Sequence, residues 1–206
     1  MNGKERIIAA LQHQKADRAA LAYEATFEVT RELVKFFGID KIANLPVDQI
    51  GTFQSPLCEK DVGIDQEIML HRVLGVDLAK VACPVNPEKT IGNWFGLPLL
   101  HREQDGTIIG AWGMRFKEFK YPYGTYIEIE GYPLANAETV EELENYPIPS
   151  LDLFDYEGLK TILPKFSGFY VLLNMNGCFD IARYMRGTEQ FFVDLALEPE
   201  KAEVLL

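Results

Sequence analysis

Cysteine is scarce in this chain. The 206 residues hold three, Cys58, Cys83 and Cys178, an odd number spread far apart. No C-x-x-C and no Cys/His pair at metal spacing occurs, which excludes a disulfide framework and predicts reduced, intracellular thiols. Runs of Lys or Arg are also missing, and 20 basic residues face 31 acidic ones for a net charge of −11. Nucleic acid and anionic membrane surfaces both require a basic face, so neither is an expected partner. Apolar runs such as residues 94–100 fall well short of the roughly 20 residues that cross a bilayer. Residues 1–13 carry Glu5 early and only a brief apolar stretch, which is not a secretory signal. There is no internal repeat and no low-complexity segment. A soluble, cytoplasmic protein is the expectation.

What is present is ordinary for a globular chain: 48% hydrophobic and 25% charged residues. A chain of this length buries a sizeable core without a metal or disulfide staple. Asn2 followed by Glu5 predicts a capped helix start, continued by Ile7, Ile8 and Leu11 at helical spacing. Residues 17–25 form a short apolar run, predicted as a first core strand despite its alanines. Helix is predicted over 27–37 with Gly38 as its stop, mostly loop over 44–61, and helix over 65–74 ending at Gly75. Residues 76–83 read as a second buried strand. From 93 to 133 the pattern changes: Asp105-Gly106 and Tyr123-Gly124 are turn signals, and residues 126–130 alternate at period two. An antiparallel hairpin or meander over about 105–132 is expected there, as an insertion. Asn136 is expected to cap a helix over 137–145. A helix over 156–165, a strand over 169–173, a helix from about 179 broken at Gly187, another over 188–197 and a last one opened by Pro199 complete the reading. Strands separated by helices predict a parallel sheet or barrel.

Four stretches resemble one family, the uroporphyrinogen decarboxylase superfamily, which also contains corrinoid-dependent methyltransferases. Lys4-Glu5-Arg6 with Ala16-Asp17-Arg18 resembles the family's opening. Leu74-Gly75-Val76-Asp77 resembles the entry to its second strand. Pro133-Leu134, Ala137, Thr139, Glu141-Glu142-Leu143 and Tyr146-Pro147 resemble its linker helix. Residues 168–187, ending Tyr184-Met185-Arg186-Gly187, resemble a strand and helix that close on a Tyr-Met pair and a glycine. The resemblance implies an α/β fold, a TIM-type (β/α)8 barrel with its active site at the C-terminal ends of the strands. It spans the family's first half, and residues 201–206 read as a helix in mid-course. The expectation is therefore a single partial barrel domain, residues 1–206, whose unpaired sheet edges favour association.

For the site, the resemblance places Tyr184 where the family carries an active-site tyrosine. The alternative is a helix tyrosine with its ring in the core and its hydroxyl at the rim. Glu24 follows the first predicted strand as a general base or substrate-amine partner, or as a solvated carboxylate. Asn174 and Asn176 follow the clearest strand and either orient a substrate group or serve the turn before Gly177. Arg183 and Arg186 flank Tyr184 and either grip a carboxylate bidentately or pair with surface acids. Cys178 reads as an inert thiol, and Asp180 as favouring the start of its helix. Asp77 receives no role, because the decarboxylase aspartate aligns near Pro84.

The arginine-rich element with which porphyrin decarboxylases bind substrate carboxylates is replaced here by Tyr23-Glu24-Ala25-Thr26-Phe27-Glu28. That departure points toward the corrinoid methyltransferase branch, with a uroporphyrinogen decarboxylase or a non-catalytic fragment as the alternatives. For a full-length protein of that branch the resemblance implies cobalamin, carried by a corrinoid protein, and zinc. Within this chain no cofactor is expected, since His13, His71 and His101 lack a Cys two residues on. The expected partners are a small-molecule substrate, a corrinoid protein and a second copy of the chain.

Overall fold

The computed structural model describes residues 1–39, 63–122, 124–173 and 176–206. Cys58, Tyr123, Asn174 and the loop expected over 44–61 lie outside the described residues. In chain order the elements are α1 (Gly3–Leu11), α2 (Phe27–Phe36), α3 (Ile64–Val73), β1 (Leu78–Val81), β2 (Gly92–Trp94), β3 (Leu97–Arg102), β4 (Ile108–Gly110), β5 (Arg115–Tyr121), β6 (Gly124–Gly131), α4 (Val140–Glu144), α5 (Tyr156–Ile162), β7 (Tyr170–Leu173), α6 (Cys178–Arg186), α7 (Thr188–Leu197) and α8 (Pro199–Leu205). They divide into two compact units, Met1–Pro84 with Phe154–Asn174, and Val85–Leu153 with Met175–Leu206.

In the first unit β1 runs parallel to β7, in register from Leu78 opposite Tyr170 to Val81 opposite Leu173. On its other side Leu78 bridges to Ala22, also in parallel. Three chain segments thus lie side by side in sequence order. The strand expected over 17–25 contracts to that one bridge, flanked by the bond from the Asp77 amide to the Leu21 carbonyl at 2.8 Å. Alanine gives a strand little to pack, which accounts for the short pairing. Along β1 burial alternates. Ala79 and Val81 pack against Ile64 and Ile68 of α3 and against Phe166 and Phe169, while Val171 joins from β7. Each large apolar side chain removed from water there contributes about 1.5–3 kcal/mol before entropy is counted. α1 starts as expected: the Asn2 side chain accepts from the Glu5 amide and the Glu5 carboxylate accepts from the Asn2 amide, both at 2.9 Å.

The second unit holds a five-stranded antiparallel meander, β2 to β6 in order. The expected insertion over 105–132 corresponds to β4, β5 and β6. Two further strands precede it, joined by a turn in which Phe95 (φ 49°) and Gly96 (φ 85°) both adopt positive φ. That is the backbone of a two-residue hairpin whose twist matches its strands, and Asn93 Oδ1 accepts the Gly96 amide at 3.0 Å. Leu99, Ile108, Met114 and Phe116 are fully buried. α4 starts three residues later than expected, because Thr139, not Asn136, is its cap: its hydroxyl accepts from the Glu142 amide at 3.2 Å. Gly187, at φ 87°, separates α6 from α7. Among the described residues no helix is long and apolar enough to cross a membrane.

Candidate functional site

In the second unit α6 presents Tyr184 to the meander. Its ring meets Trp94 edge-on, with centroids 5.1 Å apart. Arg183 folds over the same ring, with Cζ 4.2 Å from the centroid. Arg183 Nη2 donates to the Tyr184 hydroxyl at 2.8 Å, and Nε donates to Asp180 Oδ1 at 3.0 Å. Burial pushes the Tyr184 phenol above its ordinary pKa, with Arg183 opposing and Asp180 adding to the rise. The phenol therefore keeps its proton at neutral pH. Since its oxygen already accepts from Arg183, its O–H is left to donate, which suits a carbonyl or carboxylate. Asp180 and Arg183 form the pair that holds this arrangement.

Asn176 sits just before α6 and donates from Nδ2 to the Phe95 carbonyl at 2.6 Å. It braces the β2–β3 turn, a structural use that sequence alone could not reveal. Cys178 is exposed in the first turn of α6. Asn174 lies outside the described residues.

Arg186 is in a different situation. It is 3% exposed, and its partner Asp194 is fully buried. Its Nε donates to Asp194 Oδ2 at 2.6 Å, and Nη1 donates to the carbonyls of Leu134 and Ala137 at 2.6 and 2.7 Å. The fork is spent inside the fold, and the geometry gives Arg186 a structural duty. Burial works against the Asp194 charge, but hydrogen bonds from Arg186 and Gln190 hold the carboxyl below the usual range.

In the first unit Glu24 follows the Ala22 bridge, and its Oε2 accepts from Lys80 Nζ at 2.7 Å. Lys80 is the third residue of β1, in register with Leu172 and on the face turned away from the helices. Lys80 was not anticipated from sequence. A lysine breaking an apolar strand at a position opposite to the core was the available signal.

The stretches that carried the family resemblance meet in pairs. In the first unit Arg6 Nη1 donates to Asp77 Oδ1 at 2.5 Å and Nε to Asp17 Oδ1 at 2.6 Å, while Arg18 Nη1 donates to Asp77 Oδ2 at 2.6 Å. The opening piece and the second-strand piece thus share one ion network. In the second unit the linker piece and the Tyr-Met piece are tied by Arg186 on the Leu134 and Ala137 carbonyls. Burial opposes the Asp77 charge, yet Arg18 and the Leu21 amide keep its carboxyl low.

One buried polar group in the first unit has no such support. His71 of α3 is 1% exposed, wedged edge-on between Tyr23 and Phe169 at centroid distances of 5.6 and 5.9 Å. Neither ring nitrogen has a hydrogen-bond partner among the described residues, and Glu67 Oε1 stays 3.8 Å from Nε2. Burial lowers its pKa to about 4.

Among the described residues no three His, Cys, Asp or Glu side chains gather as metal ligands, so those residues do not fit a zinc site. No protein-family model matches this chain, and neither a curated protein nor a solved structure matches it.

Proposed function

We propose that this chain belongs to an enzyme of the uroporphyrinogen decarboxylase superfamily that acts on a substrate other than a porphyrin, in the manner of the corrinoid-linked methyltransferases. The observation that carries this reading is the Glu24–Lys80 pair, set on neighbouring parallel segments toward their C-terminal ends. In barrels that end of the strands carries the chemistry. The sequence-ordered parallel neighbours, Ala22, β1 and β7, are compatible with consecutive barrel strands.

The pair's charge discriminates between reactions. A substrate with many carboxylates needs uncompensated cations. Lys80 is matched by Glu24, and Arg6 and Arg18 are committed to Asp17 and Asp77. A carboxylate beside an ammonium suits the transfer of a proton to or from a small acceptor such as a thiol. The corrinoid in this reading is a partner's cargo that brings the methyl group.

The test mixes the full chain with methylcobalamin and a small thiol and follows loss of the methylcobalamin absorbance, beside a parallel assay with uroporphyrinogen. The expected result is thiol-dependent demethylation, reduced about 100-fold in Glu24→Gln. Decarboxylation of uroporphyrinogen would overturn the reading. Turnover of neither would favour a non-catalytic interaction partner. A specific feature supports that alternative: Leu172 and Leu173 of β7 are 44% and 46% exposed, beside a strand edge that pairs with nothing among the described residues.

A further inference from the structure

We infer that a cavity within the second unit binds a compact apolar molecule with a cationic or hydrogen-bond-donating head, an aryl-alkyl amine in type. The inference is independent of the proposed reaction. The cavity measures about 440 Å³, inside the roughly 300–1,000 Å³ range of small-molecule sites. Leu134, Leu143 and Met185, all buried, line it together with Trp112. None of these offers a side-chain acceptor, so the body of the ligand must be apolar.

The polar lining is richer in acceptors than in donors, which are the second Asn176 N–H and the weak Cys178 thiol. Tyr146 commits its proton to the Trp112 carbonyl at 3.0 Å and retains lone pairs. Asn176 commits one Nδ2 hydrogen to the Phe95 carbonyl and keeps Oδ1 as an acceptor beside its second N–H. Glu144 supplies an exposed carboxylate at the rim. A site whose polar atoms mostly accept favours a ligand that donates, and the carboxylate at its edge favours a positive head over a negative one. The chain's net charge of −11 acts in the same direction.

The test uses the full chain and three probes of one shape: 4-phenylbutylamine, 4-phenylbutanol and 4-phenylbutyrate. Trp112 in the lining makes intrinsic tryptophan fluorescence the readout. The amine is expected to give a saturable change and to bind at least about tenfold more tightly than the carboxylate. Glu144→Gln, a change at an exposed position, should bring the amine close to the alcohol and leave the alcohol unchanged. Ile181→Phe, which fills the cavity from α6, should weaken all three. Circular dichroism melting of each variant separates lost binding from lost folding. Equal binding of amine and carboxylate to the unaltered chain would overturn the inference. So would the absence of saturable amine binding, or amine selectivity that survives in folded Glu144→Gln.

Discussion

Each unit is fastened by arginine and aspartate, and the two fastenings differ in their exposure to water. In the first, Arg6 and Arg18 converge on buried Asp77, but Asp17 and Arg18 remain 45% and 41% exposed. In the second, Arg186 and Asp194 are both almost completely buried, and backbone carbonyls take the remaining donors. A half-exposed network is screened by water and salt and can lose one member while the others rearrange. A buried pair cannot, because removing one partner strands an unpaired charge in the core. The same residue chemistry therefore makes an adjustable joint in one place and a brittle one in the other.

The largest expected effect tests the brittle joint. Arg186→Ala should cost about 3–5 kcal/mol, read as a lowered denaturant midpoint. The double replacement Arg186→Met with Asp194→Leu should recover much of that loss, because it removes the stranded charge. A single-variant loss no larger than that of a surface change would show that the two joints do not differ.

Acid should separate the units next. His71 lies in the first unit, and its folded pKa of about 4 is below the unfolded value near 6.5. The neutral ring is the form that the fold accepts. As pH falls from above 6.5 toward 4, the unfolded chain takes up a proton that the folded chain refuses, and stability drops by about 3 kcal/mol. Denaturant titrations at pH 7 and pH 5 measure the early part of that loss. His71→Leu should flatten it. A pH response unchanged in the variant would remove His71 as the cause.

The smallest effect belongs to the adjustable joint. The guanidinium of Arg6 holds the Asp17 carboxyl well below the usual carboxylate range, yet Asp17 itself is nearly half exposed although Arg6 is buried. Asp17→Asn should lower the melting temperature slightly at low salt and hardly at all at high salt. A large, salt-independent loss would make this joint as brittle as the other.

Much of the local structure was legible in the sequence, because caps and periodicity are encoded within a few residues. Asn2 with Glu5, the strand within 76–83 and the breaks at Gly187 and Pro199 are of this kind. Strands β2 and β3 were not, since Trp94 to Leu100 reads as one apolar run containing Pro98, and its turn depends on Phe95 accepting positive φ. The site was less legible still. Arg186 and Arg183 look alike in sequence, and only the fold shows one gripping Asp194 in the core and the other covering the Tyr184 ring. Lys80 escaped notice because its partner Glu24 lies 56 positions earlier. Pairings that distant leave no local mark.

The parallel ladder also has a consequence for vectorial synthesis. Leu78 must wait for Tyr170, about 90 residues later, before the β1–β7 pair can close. At ribosomal speeds of about 5–20 residues per second, that leaves β1 without β7 for roughly 5–20 s. The meander closes through short turns within the same interval and has no such delay. On a ribosome the arrival of Tyr170 would therefore set the moment at which β1 is paired, and a pause ahead of codon 170 would lengthen the period in which a chaperone finds β1 unpaired.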